Sequence, residues 1–295
     1  MTTLNLGNLA TFRLVVQRGS FSAAADALGI SQPAVSLQVR QLEQFLQTRL
    51  LERTGRGIKA TAAGMALLSH SEQIDRAVNS AVQSVSAFSQ EVNGSLTLGT
   101  GATACIHLLP PLLQHLRQQH PLLTVGVTTG NTLDIVRAVE ENRLDLGLVT
   151  LPVQGRSLAV TAVVDEEFVV IHPSHEAGIP AVCTPEALQA LPLIAFEAGS
   201  GTRDLIDRWF RSAGLAVTPV MQLGSIEAIK RMVQAGLGYS IVPRMAVEQA
   251  EDRCGLTVHS LAPSLYRQLA VVMRQDKVIT KGLAEMLRLL QAVRL

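Results

Sequence analysis

SFSAAADALGISQPAVSLQVRQLEQFL, residues 20–46, decides how this chain reads. It holds two helical runs joined by a tight turn. Ser20-Phe21-Ser22 caps the run Ala23 to Leu28, and Gly29 breaks it. Ser31 caps the second run. Pro33 is tolerated in its first turn, where a missing N–H leaves no bond unmade. Val35, Val39, Leu42 and Leu46 recur every three or four residues, so one face of this helix is apolar. The Ala23-Ala24-Ala25 run lets the two helices approach closely. A helix-turn-helix has this form: the first helix braces against the DNA backbone and the second lies in the major groove. The exposed start of the second helix offers Gln32, Ser36, Gln38 and Arg40, whose donors suit base edges and phosphates.

Working outward, Leu6, Leu9, Phe12, Val15 and Val16 lie on one face of a preceding helix, which Gly19 ends. After Leu51 the helical pattern stops. Thr54-Gly55-Arg56-Gly57 is a tight turn with a basic tip, so Arg53 and Arg56 can reach flanking phosphates or the minor groove, as a wing does. Residues 1–60 carry Arg13, Arg18, Arg40, Arg49, Arg53, Arg56 and Lys59 against Asp26, Glu43 and Glu52, a net +4. The whole chain carries only +1, so the rest is acidic at −3. A basic head on an acidic body points to an anionic partner at the head.

From Thr61 to Val92 there is no proline and one early glycine, Gly64. Leu68, Ile74, Val78, Val82, Val85 and Phe88 form an apolar stripe, which predicts one long amphipathic helix stopped by Asn93-Gly94. Such a helix cannot bury its stripe alone, so pairing with a second copy is expected. From Ser95 onward strand-like and helical runs alternate. Strands are predicted at 95–100, 122–128, 144–150, 168–172, 193–196, 240–242 and 269–273, and helices at 108–119, 132–141, 203–213, 226–234 and 281–293. The alternation predicts an α/β fold with parallel sheets.

The residues Ser20-Phe21-Ser22-Ala23-Ala24-Ala25, Leu28, Ser31-Gln32-Pro33-Ala34-Val35-Ser36, Leu42-Glu43, Leu50-Leu51-Glu52-Arg53 and Thr61-Ala62-Ala63-Gly64 together resemble the LysR-type transcription regulators. Their order and spacing match over about the first 65 residues, and chain length and the α/β remainder agree. The resemblance implies an all-α winged helix-turn-helix over 1–60, a long linker and dimerisation helix over 61–92 and an effector domain over 93–295. That domain would have two α/β lobes like a type 2 periplasmic binding protein, lobe I at 93–163 and 268–295, lobe II at 164–267. The lobes would be joined by crossovers near Ala162–Asp165 and Tyr266–Leu269. DNA contacts are implied along Phe21, Ser22, Ser31, Gln32, Pro33, Ala34, Ser36, Leu37, Gln38 and Arg40, with Arg53 and Arg56 on the wing. One departure matters: the position after Ser36 is often Arg in this family and here is Leu37. A +4 head with few cations on its reading helix binds weakly alone, so a homodimer or homotetramer is expected to supply affinity through effective concentration.

Open α/β sheets bind ligands beyond the carboxyl ends of their strands, where helix N-termini favour an anion. Thr100-Gly101-Ala102-Thr103, Thr129-Gly130-Asn131-Thr132 and Gly199-Ser200-Gly201-Thr202-Arg203 have that form, with Thr150 at a strand end and Gly224-Ser225 opening another helix. Thr100, Gly101, Thr103, Thr129, Asn131, Thr150, Ser200, Gly201, Thr202, Arg203 and Ser225 are therefore candidate effector residues for a small anionic metabolite. Gly199–Arg203 together with Leu223-Gly224-Ser225-Ile226-Glu227-Ala228-Ile229-Lys230 resembles the branch of the family that senses anionic metabolites, which includes regulators of sulfur, nitrogen and carbon assimilation. The alternatives are plain caps and turns, with Arg203 paired to Asp204 or Asp207. His172, before Pro173, reads as a turn histidine.

Composition bounds the rest. The chain is 47% hydrophobic and 3% aromatic, so its cores are built from aliphatic residues. No apolar run approaches the ~18–20 residues of a membrane span, and the start lacks a signal pattern, so a cytoplasmic protein is expected. Cys105, Cys183 and Cys254 follow no metal spacing and read as reduced thiols, although a redox pair involving Cys105 is an alternative. No phosphate loop, zinc-protease helix or nucleophile elbow is present, and Gly99-Thr100-Gly101 lacks the third glycine of a dinucleotide fingerprint. The expectation is a regulator without cofactor or metal, partnered by operator DNA, itself and RNA polymerase. The competing readings are an enzyme on the two-lobed fold, a transport binding protein and a regulator that needs no effector.

Overall fold

The computed structural model describes residues 4–54, 57–86, 92, 94–175, 179–180 and 182–293. It divides into two compact units, Met1–Val82 and Gln83–Leu295.

The head is built from α1 (Leu6–Arg18), α2 (Phe21–Leu28) and α3 (Gln32–Leu46), followed by β1 (Leu51–Thr54), β2 (Gly57–Ala60) and α4 (Ala62–Ser86). Leu9, Phe12, Val15, Ala24, Ala25, Val35, Val39, Leu42 and Leu50 form its core. The caps read from the sequence are present. Ser20 and Ser31 accept from the backbone N–H of Ala23 and Ala34, and Gly19 and Gly29 close their helices with left-handed backbones. β1 and β2 pair antiparallel, Leu51 against Ala60, so the segment read as a bare turn is a hairpin and the head is not purely helical. The hairpin seats on the junction of α1 and α2: Ile58 N–H donates to Gly19 O at 3.0 Å. Gly57, at φ +124°, passes so near that a Cβ would lie 2.9 Å from the same carbonyl.

The residues Leu42-Glu43, Leu50-Leu51 and Thr61-Ala62-Ala63-Gly64 hold this head together. Glu43 Oε1 accepts from the N–H groups of Leu50 (2.8 Å) and Leu51 (3.3 Å), which starts the wing strand. Thr61 donates its hydroxyl to Arg49 O at 2.8 Å and accepts from Gly64 N–H at 3.0 Å. A Cβ on Gly64 would fall 2.1 Å from Leu50 O. The first turns of α4 belong to the head, where Leu67, Leu68 and Ile74 pack on its core and Asp75 pairs with Arg13. Among the described residues the later part of the predicted stripe is exposed: Val78 is 38%, Val82 63% and Val85 72% exposed. Phe88 lies outside the described residues.

The second unit follows the order β3 (Gly94–Thr100), α5 (Ala102–His107), α6 (Leu109–Gln119), β4 (Leu123–Thr129), α7 (Thr132–Glu140), β5 (Leu146–Thr150), β6 (Leu158–Pro173), α8 (Pro185–Leu188), β7 (Ile194–Phe196), α9 (Gly201–Ser212), β8 (Met221–Leu223), α10 (Ile226–Gln234), β9 (Ser240–Pro243), a 3-10 turn at Arg244–Val247, β10 (Leu256–Arg274) and α11 (Lys281–Gln291). The main sheet has the order β4-β3-β5-β10-β6-β9. Only β4, β3 and β5 run parallel; β10, β6 and β9 pair antiparallel, so the all-parallel expectation gives way to a mixed sheet.

The difference has one cause. The segments read as crossovers are the middles of two long strands, 16 residues in β6 and 19 in β10, which pair with each other. Asp165 faces Gln268 and Val164 faces Leu269, with a register shift between Leu269 and Ala270. On one side of that shift lies a core around Phe168, Trp209, Phe210 and Tyr239. On the other lie the cores around Leu98, Leu146 and Leu283 and around Ile135 and Val139. Asp145 ties the C-terminal segment down: it accepts from Thr97 N–H (2.6 Å) and hydroxyl (2.8 Å) and pairs with Lys277 at 2.5 Å. His172 is not a turn residue. It lies within β6, next to its last residue Pro173, is 5% exposed, and stacks against His259 with Nε2 atoms 3.1 Å apart. The cysteines are unpaired, and burial pushes the Cys183 thiol pKa up.

Gly64→Ala tests the head packing. The backbone carbonyl of Leu50 cannot yield as a side chain can, so the substitution should cost about 1–3 kcal/mol of head stability. Urea denaturation of the head should show the loss, and an unchanged midpoint would contradict the close approach.

Candidate functional site

Two regions collect the residues singled out in the sequence. The first is the outer face of α3. Gln32, Pro33, Leu37 and Arg40 are exposed there, with Ser36 half-buried beside them, while Val35, Val39 and Leu42 face the core. Gln32 Nε2 donates to Ser36 Oγ at 2.8 Å, so the two polar groups at the helix start are held together. Gln38 sits at the flank. It is half-buried, and its Oε1 accepts the hydroxyl proton of buried Thr11 at 2.5 Å, which turns part of its amide inward. Phe21 packs against the head core, whereas Ser22 and Ser31 are exposed and Ala34 is half-buried. Leu37 is 53% exposed, an apolar residue beside the polar Gln32, Ser36 and Arg40. Arg53 is exposed on β1, and Arg56 lies outside the described residues.

The second region is a cleft of ≈ 370 Å³ in the effector unit. Thr100, Thr129 and Thr150 end the three parallel strands, and all three line it. Gly101, Thr103, Asn131, Ser200, Gly201 and Thr202 join them. Several of these polar groups are engaged. Thr100 donates to Leu148 O at 2.9 Å, and Asn131 accepts from Asp134 N–H at 2.9 Å as the cap of α7. Ser200 donates to Glu197 O at 3.0 Å and accepts from Arg203 N–H at 3.2 Å as the cap of α9.

Two candidates point elsewhere. Arg203 bonds Asp207 (2.8 Å), Phe196 O (3.1 Å) and Gln222 Oε1 (3.1 Å), so its guanidinium braces α9 against β7 and β8. The i,i+4 carboxylate captures it, as the alternative reading of the sequence allowed. Ser225 accepts from Ala228 N–H as the cap of α10 and is not part of the cleft wall, although Gly224 is.

The cation in the cleft wall is instead Arg267. Its Nε donates to Glu166 Oε2 at 2.5 Å and its Nη1 to Thr202 Oγ1 at 3.1 Å, and the guanidinium lies over the Phe168 ring, 5.3 Å from the centroid. Glu166 is 1% exposed and faces Arg267 across the β6–β10 ladder. Burial raises its carboxyl pKa, and the Arg267 charge and hydrogen bond pull the other way with less effect. Among the described residues its Oε1 has no hydrogen-bond partner. The sequence held a cue to this pair, the acidic run Asp165-Glu166-Glu167 in one expected crossover and Arg267 in the other. Only the strand register shows which acid meets the arginine.

A winged helix-turn-helix joined to a two-lobed binding fold defines a DNA-binding protein with a ligand-binding domain. Residues 6–65 match the bacterial regulatory helix-turn-helix family of lysR type, and residues 89–294 match the LysR substrate binding domain. The chain belongs to the LysR family of transcription regulators. It is similar to the transcriptional regulator YofA of Bacillus subtilis, 32% identical over 94% of each chain. It is also similar to CbbR of Xanthobacter flavus, 31% identical over 95% of this chain and 86% of that one. The fold matches full-length CbnR in complex with its target DNA with a TM-score of 0.75, at 22% identity over 98% of this chain and 99% of that one. Among the described residues no helix is long and apolar enough to cross a membrane, and no group of three or more His, Cys, Asp or Glu could hold a metal.

Glu166 provides a pH test. Because burial raises its pKa, the folded chain holds that proton more tightly than the unfolded chain. The stability this contributes is complete below the ordinary carboxylate range and is lost as pH rises through the folded value. Urea denaturation from about pH 5 to about pH 8 should show the parent losing stability relative to Glu166→Gln. Parallel profiles would mean that Arg267 fully compensates the buried charge.

Proposed function

We propose that this regulator reads operator DNA with the exposed face of α3 and the wing, as a homodimer or homotetramer, under the control of a small metabolite that carries an anionic group. The observation that supports the DNA reading best is the exposed set Gln32, Pro33, Leu37 and Arg40, with half-buried Ser36 beside them, on a helix whose opposite face is core. Exposed Val82 and Val85 on α4 support pairing with a second copy, which would multiply the affinity of a weakly basic head.

The anion reading rests on the cleft. Threonine hydroxyls at the carboxyl ends of three parallel strands meet the first turns of α7 and α9 and the Arg267 guanidinium. Fixed N–H and O–H dipoles of this kind favour negative charge. The proposed mechanism is lobe closure on the metabolite, which changes how the heads are spaced on the operator and so how RNA polymerase is recruited. A ligand can do this only by binding one arrangement better than the other. The protein acts in the cytoplasm without cofactor or catalytic step, in keeping with relatives that are transcriptional regulators.

Footprinting on the DNA upstream of its own gene should show a protected site. Gln32→Ala should weaken binding there by about 1–3 kcal/mol and relax base preference, whereas Arg53→Ala should weaken all sequences alike and lower the salt slope by about 1 per head. Equal effects on specific and random DNA from both variants would contradict groove reading by Gln32. For the cleft, a screen of small anions by thermal shift should give a stabilising ligand whose effect Thr202→Leu abolishes. A full response in that variant would place the ligand elsewhere.

A further inference from the structure

The cleft contains more chemistry than anion capture uses. Arg267 already has a counter-ion in Glu166, so the guanidinium brings little net positive charge. Glu197, just beyond β7, lines the same cavity. Among the described residues its carboxylate has no ion pair and no hydrogen bond. Gly224 leaves room for it: a Cβ there would lie 2.9 Å from Glu197 Oε2 and 3.1 Å from Oε1. A purely anionic ligand drawn into this cleft would be held beside an uncompensated negative charge. Desolvating such a charge without a partner opposes binding.

A second chamber of ≈ 600 Å³ adjoins the first and shares Asn131, Thr132, Thr150, Gly199, Gly201 and Arg267 with it. Its remaining wall is largely apolar, with Leu133, Leu151, Pro152, Leu205 and Tyr266, and it includes the oppositely charged Asp204 and Arg208. Leu133 is 80% and Tyr266 54% exposed. Large apolar side chains left open beside a polar cleft are what a ligand with an apolar body would cover.

We infer that the ligand is a zwitterionic α-amino acid with an apolar side chain. Its carboxylate meets Arg267 and the strand-end threonines, its ammonium meets Glu197, and its side chain enters the outer chamber. This rests on the effector reading above and specifies its chemistry. A zwitterion satisfies both signs of charge at once and arrives without net charge, which matches a cavity that has a compensated guanidinium on one side and a bare carboxylate on the other.

The test is calorimetric titration of the full chain with L-valine, L-leucine, L-isoleucine, L-methionine and L-phenylalanine, each set against the acid of the same skeleton without its amine. Sulfate and succinate complete the panel. At least one amino acid should bind about tenfold or more tightly than its deaminated partner. Glu197→Gln, at an exposed position, should weaken that amino acid by about tenfold or more with the melting temperature unchanged. Gly224→Ala, which displaces the carboxylate, should weaken it as well. Deaminated acids that bind as tightly, or a Glu197→Gln variant that binds the amino acid normally, would overturn the inference. Sulfate or succinate binding without any amino acid would overturn it too while leaving the anion reading intact. Failure of every probe would overturn both.

Discussion

The antiparallel pairing of β6 with β10 is the constraint on which the effector unit depends. Each strand runs through both lobes, so one ladder carries the chain out of lobe I, through lobe II and back. A pair of strands is stiff along its length and twists readily at an irregularity. The ladder has two register shifts, and the one beside Leu269 falls where the cores change over. Glu166 and Arg267 face each other two residues before the Val164–Leu269 pair at that shift. A guanidinium that lines the cleft is thus built into the element that joins its walls.

In the head the corresponding economy is in single polar groups that close chain segments on one another. The Glu43 carboxylate receives two backbone N–H groups of the wing strand, and the Thr61 hydroxyl links Arg49 to the first turn of α4. Gly57 and Gly64 are small because carbonyls of Gly19 and Leu50 occupy the space a side chain would need. These contacts spare the outer face of α3 from structural duty. Gln32, Pro33, Leu37 and Arg40 are exposed and take no part in the core cluster.

The cleft follows a different logic. Most of its polar residues are first used by the fold: Ser200 and Asn131 cap helices, Thr100 bonds a strand carbonyl, and Arg203 braces α9. What remains available is a row of backbone and hydroxyl dipoles, one guanidinium with a counter-ion and one carboxylate without any. Recognition in such a site depends on placement more than on net charge, because neutral donors held rigidly need no reorganisation when a ligand arrives.

Legibility divided along physical lines. Helix ends were readable wherever a cap is local. Ser20, Gly29, Ser31 and Gly19 act within four residues of their targets, so short-range chemistry determines them. The amphipathic period of α3 and α10 and the threonines at strand ends were readable for the same reason. The wing was readable from its basic turn and from the family resemblance, but its two four-residue strands were not, because they carry no alternating pattern, and the long strands were broken into pieces because their middles are polar. The family and its domain order were determined by the sequence alone, through the spacing of residues in the head. Tertiary structure alone decided which polar groups reach the cleft. Arg267 enters it, and Arg203 is withheld, because strand register and an aspartate one turn along the helix set the direction of a long side chain. Those are contacts made 101 and four residues away, and the longer of them leaves no local mark on the chain.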